Sequence, residues 1–101
     1  MFKVIILYPW PADPARFKSH YVSRHAPLCQ AIPGARRASY AFEPSGRDGP
    51  SEWFCVFEAE YENEGTWRAA MATPEAKAAQ ADVANYSASP PTIIICKPTN
   101  I

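Results

Sequence analysis

Glycine is scarce in this chain, with four in 101 residues. None falls in the G-x-G spacing that follows a strand in nucleotide-binding loops, so the chain offers no recognisable cradle for NAD or ATP. Charge of one sign is missing too. The ten basic and ten acidic residues cancel and are scattered along the chain, which argues against nucleic acid or an anionic membrane as a partner. Long hydrophobic stretches are absent, and runs such as Ile93 to Cys96 are far too short to cross a bilayer. Met1 leads straight into Phe2-Lys3-Val4-Ile5 with no basic region and no apolar stretch of signal length, so a soluble cytoplasmic protein is expected. The three cysteines, Cys29, Cys55 and Cys96, form no Cys-x-x-Cys pair and have no histidine pair nearby. Neither a zinc site nor a disulfide framework is therefore expected. A Gly-x-Ser-x-Gly elbow is also lacking. The expectation is a protein without metal or cofactor; haem through a single histidine would need more than one inward residue to support it.

What is present is periodic and well punctuated. Phe2 to Tyr8 is rich in Val, Ile and aromatics and is stopped by Pro9 and Pro11, which predicts a strand. Asp13-Pro14 joins a favoured helix cap to a favoured first helical residue and predicts a helix over 14 to 32, with Pro27 as a possible kink. Arg36 to Glu43 and Trp53 to Tyr61 read as strands joined by the turn-rich segment Pro44 to Pro50. Helical pieces follow at roughly 66 to 72 and 74 to 85, the second announced by Thr73-Pro74. After the break at Ser87 to Pro91, Thr92 to Lys97 reads as a last strand. The order β-α-β-β-α-β over one domain of residues 1–101 predicts an α+β, ferredoxin-like fold. Its four-stranded antiparallel sheet would carry both helices on one face.

The strands are apolar on both sides. Phe2, Val4, Ile6 and Tyr8 oppose Ile5 and Leu7, and Trp53, Cys55 and Phe57 oppose Phe54 and Val56. Two helices cover one face only, so a second copy of the sheet, packed face to face in a homodimer, is the expected cover for the other.

On the predicted first helix, Phe17, Tyr21, His25, Leu28 and Ile32 fall within an arc of about 80°. His25 is thus aimed inward, where an imidazole either moves protons or simply fills space with one N–H bonded. His20 falls about 120° from the centre of that arc and is expected at the surface. Asp82 shares the stripe of Ala78 and Tyr86 on the last helix, within about 40° of each. It either orients His25 and raises its basicity or acts locally, capping an N–H or pairing with Arg24 or Arg37. Tyr8, Tyr21, Tyr40, Trp53 and Tyr86 can line an aromatic pocket for a small ligand or pack the core. Tyr21 stands out because it lies one turn before His25. Arg36-Arg37 reads as an anion-attracting pair or as a solvated strand start.

Three patches carry a resemblance. They are Lys3-Val4 with Leu7-Tyr8-Pro9, Tyr21 to His25-Ala26-Pro27-Leu28, and Ala81 to Ser87 ahead of Pro91. In these the chain is similar to the EthD family of the dimeric α+β barrel superfamily, departing from its usual Phe-Thr at Tyr86-Ser87. The resemblance implies a dimeric α+β barrel whose pocket lies between helices and sheet and faces His25. It is looser about activity, since the superfamily holds cofactor-free monooxygenases, lactone isomerases, polyketide cyclases and haem proteins, and fold does not choose among them. EthD-like proteins accompany oxidative degradation systems and are commonly labelled reductases. The expectation is a small cofactor-free enzyme or enzyme accessory that binds an apolar, oxygenated molecule. His25 would be its proton-transfer group, assisted by Asp82 and Tyr21, with Tyr8, Tyr40, Trp53 and Tyr86 around the ligand. The alternative is a carrier that binds such a molecule without chemistry.

Overall fold

A computed structural model describes residues 1–101. The chain runs β1 (Phe2–Pro9), α1 (Pro14–His20), a π turn (Tyr21–His25), α2 (Ala26–Gln30), β2 (Arg37–Phe42), a small hairpin β3 (Ser45–Gly46) and β4 (Gly49–Pro50), and β5 (Trp53–Tyr61). Then come α3 (Glu64–Met71), α4 (Pro74–Asp82), a 3-10 turn (Val83–Asn85) and β6 (Thr92–Cys96). The sheet order is β2-β5-β1-β6 with every neighbour antiparallel. This is the expected α+β, ferredoxin-like arrangement. No helix is long and apolar enough to cross a membrane.

Local chemistry sets the helix starts. The Asp13 carboxylate accepts from Arg16 N at 3.1 Å, and Pro14 occupies a first-turn position where no N–H is needed. Asn63 accepts from Thr66 N at 2.8 Å, so α3 begins at Glu64, ahead of the expected residue 66. Between α1 and α2 the helix is not regular. Pro27 has no N–H to return to the turn before it, and the ring crowds the preceding carbonyl. The chain widens there, and Ala26 N reaches back five residues to Tyr21 O. The helical stretch ends at Gln30, and Gly34, at φ +101, turns the chain toward β2 with Thr66 Cγ2 3.4 Å from where a Cβ would sit.

The helices cover one face of the sheet. One core cluster there joins Tyr8, Phe17, Tyr21, Phe54, Cys55 and Tyr86. A second joins Phe2, Val4, Ala59, Tyr61 and Ala70. Strict alternation fails at the start of β5. The register shifts opposite Tyr8 and Pro9, and this irregularity turns Phe54 inward alongside Cys55, so both are fully buried on the helix side instead of opposing each other. On the other face Ile5, Leu7 and Val56 remain partly open and Ile94 is 43% exposed. One end of that face is charged, with Glu60 lying 3.8 Å from Lys3 and 3.9 Å from Arg37.

Candidate functional site

The chemistry gathers where the π turn meets the end of α4. Asp82, buried in the last turn of α4, accepts from His25 Nδ1 at 3.0 Å through Oδ2. Its Oδ1 accepts from His20 Nε2 at 2.9 Å and from Asn85 Nδ2 at 3.0 Å, and His20 Nε2 also stands 3.1 Å from Oδ2. His20 is therefore not the surface residue that α-helical spacing predicts. At 100° per residue, positions 20 and 25 point roughly 140° apart, but the i→i+5 turn between them brings residues five apart toward one side. Arg24 and Arg37 take no part in holding Asp82, and Arg37 pairs with Glu60 instead.

Tyr86 is the hub of the packing. Its ring lies 4.7 Å from that of His25, stacks on His20 at 5.5 Å, and touches Tyr21 at 5.4 Å and Phe17 at 5.0 Å. Its hydroxyl is 2.7 Å from that of Tyr8. Tyr21 packs on His25 at 5.0 Å and on Tyr40 at 4.9 Å. Its hydroxyl is buried toward the Tyr8 hydroxyl and the Cys55 thiol without a well-formed hydrogen bond to either. A cavity of about 410 Å³ opens beside this cluster, lined by Tyr21, Val22, Cys29, Gln30, Tyr40 and Phe57 among others. His25 does not form its wall; it stands one layer behind, against Tyr21. Trp53, half-buried where β5 begins, joins neither the cavity nor the aromatic cluster. The structure thus brings together His25, Asp82, Tyr21, Tyr8, Tyr86 and Tyr40, and leaves Trp53 apart.

Burial sets the protonation states. It pushes His25 below the ordinary imidazole value, and the hydrogen bond and charge of Asp82 only partly oppose this. Burial acts on Asp82 in the raising direction, but hydrogen bonds from Asn85, His20 and His25 outweigh it and hold the carboxyl below its ordinary value. The pair at neutral pH is then a carboxylate facing a neutral imidazole with its proton on Nδ1. His25 Nε2 carries a lone pair and makes no hydrogen bond within the protein. Burial also raises the three phenols, Tyr8 to about 12 and Tyr21 and Tyr86 further, so all three stay protonated. Cys29 and Cys55 are raised to about 11 and about 12, which leaves them as thiols and poor nucleophiles. No group of three or more His, Cys, Asp and Glu side chains is placed to hold a metal ion.

Sequence spacing missed His20 and Asn85. The signals were there in weak form: a proline inside a helix for the first, and an amide three residues after Asp82 at a helix end for the second.

Fold and pocket define a small ferredoxin-like α+β protein with an aromatic ligand-sized cavity. The EthD domain family matches residues 11–90, and the chain belongs to it. It is 36% identical over 94 residues, 93% of its length and 91% of the relative's, to an uncharacterized 11.0 kDa protein of the thcB-thcC intergenic region in Rhodococcus erythropolis. An EthD family protein from Bacillus halodurans superposes with a TM-score of 0.90 at 31% identity, covering 98% of this chain and 99% of that one. Two more distant structures share the fold. A dimeric ferredoxin-like protein from Thermobifida fusca has a TM-score of 0.72 at 20% identity over 94% of this chain and 88% of its own. A Streptomyces coelicolor monooxygenase in complex with nanaomycin D has a TM-score of 0.68 at 19% identity over 99% and 88%.

Proposed function

We propose that this protein binds a largely apolar small molecule carrying a carbonyl or phenolic oxygen, and that His25, held by Asp82, exchanges a proton with it. The observation that carries the reading is the Nε2 of a neutral His25, which has no partner within the protein and stands behind the cavity wall beside the poorly satisfied hydroxyl of Tyr21. A buried hydroxyl without a partner costs about 1–3 kcal/mol, and a ligand oxygen that accepted from Tyr21 recovers that cost. In the reaction a ligand that reaches past the Tyr21 ring gives its proton to Nε2. Asp82 stabilises the imidazolium so formed, and the Tyr21 O–H supports the negative charge growing on the ligand oxygen. Seven of the ten cavity-lining residues are hydrophobic and none is charged, which suits a neutral ligand better than a carboxylate or phosphate. A second copy packed on the open sheet face completes the proposed assembly.

A screen of lactones, quinones and phenolic ketones tests this. The parent converts at least one, His25→Ala loses about 10²- to 10⁴-fold in rate, and Asp82→Asn loses less and alters the pH profile. The carrier reading expects no turnover and a loss of about 1–2 kcal/mol in binding for His25→Ala. Equal binding with no conversion in either protein leaves His25 as packing.

A further inference from the structure

Asp82 serves two imidazoles, one buried and one more open to water. The His25 and Asp82 side chains are 5% and 9% exposed, whereas that of His20 is 23% exposed. Because a carboxylate only accepts, each ring nitrogen facing Asp82 carries a proton. His20 therefore presents Nε2–H to Asp82, and its Nδ1 makes no hydrogen bond within the protein. The two histidines meet at one atom, Asp82 Oδ2, at 3.0 Å from His25 and 3.1 Å from His20. The groups facing His20 are Asp82 and, by stacking, the neutral phenol of Tyr86; His25 lies across the carboxylate.

We propose that His20 is a positioning residue of this site: by sharing Asp82 with His25 it fixes how the carboxylate meets the buried imidazole. The proposal rests on His25 being the proton-transfer group. His20 draws on the same carboxylate oxygen that holds the His25 Nδ1 proton, so it weakens the support Asp82 gives to a protonated His25.

The test needs no ligand. Imidazole titrations are followed by NMR in the parent, in His20→Gln and in Asp82→Asn. Glutamine still offers an N–H to Asp82 but carries no charge. In His20→Gln the His25 midpoint rises by about half to one pH unit. In an Asp82→Asn background the same His20→Gln change no longer moves it. An unchanged His25 curve in His20→Gln overturns the proposal. If that variant does not fold, His20→Asn, which keeps an N–H donor on a shorter side chain, takes its place, and an unchanged His25 midpoint again overturns the proposal. Where a converted substrate is found, the acid limb of kcat/KM moves upward in His20→Gln together with the His25 midpoint. Absence of any conversion with the His25 midpoint shift intact sinks the enzymatic reading alone.

Discussion

Two tyrosine hydroxyls in the same cluster should answer removal in opposite ways. Tyr86→Phe strips the Tyr8 hydroxyl of its 2.7 Å partner and is expected to destabilise the fold by about 1–3 kcal/mol. Tyr21→Phe deletes a hydroxyl that makes no well-formed hydrogen bond, so chemical denaturation should show the ligand-free protein unchanged or more stable. Ligand affinity should fall in that same variant, as expected where a site stores strain for function. A clear loss of stability in Tyr21→Phe contradicts the poorly satisfied state. The buried dyad also sets a pH response. His25 binds its proton less readily folded than at its ordinary value of 6.5, so the unfolded chain takes up the extra proton and stability falls as pH drops below about 6.5. Asp82, held below its ordinary 3.8, contributes stability above that value that is lost as pH falls through its lower folded value. Urea titrations at pH 7 and pH 5 should show a drop in the parent that is smaller in His25→Gln.

At the level of elements, punctuation carried most of the fold. Asp13-Pro14 and Thr73-Pro74 marked two helix starts because cap and proline chemistry are local, and Trp53–Tyr61 came out with its observed bounds because its apolar run is long and β-rich. The site was half legible. His25 and Asp82 betrayed themselves as polar residues on apolar stripes, a signal that needs only regular periodicity. His20 did not, because the turn that brings it to Asp82 departs from 3.6 residues per turn. Alternation places Phe54 on the wrong face for the same kind of reason, since the register shifts opposite Tyr8 and Pro9. Fully buried against Trp10, Phe17 and Phe42, Phe54 is expected to cost about 3–5 kcal/mol when replaced by Ala, read from the denaturation midpoint.

For the whole molecule, the open sheet face carries the expectation of a two-fold dimer. Ile5, Leu7, Val56 and Ile94 form its apolar part, and a stable interface there should bury roughly 1,600 Å² in total. Sedimentation at micromolar concentration should report a dimer, and Val56→Glu should give monomer; a monomeric parent removes the expectation. The final strand has a consequence of another kind. β6 is an edge strand with Ile93, Ile94 and Ile95 exposed by 59%, 43% and 45%, and such a β-branched run with bare backbone groups is a template for amyloid-like stacking. Its flanks read as gatekeepers, with Pro90-Pro91 before it and Lys97-Pro98 after it. The chain's shelf life in concentrated solution therefore hangs on four residues outside the cavity wall, and replacing Lys97 and Pro98 by Ala should turn clear stocks fibrillar, visible as thioflavin fluorescence, before any change in melting temperature appears.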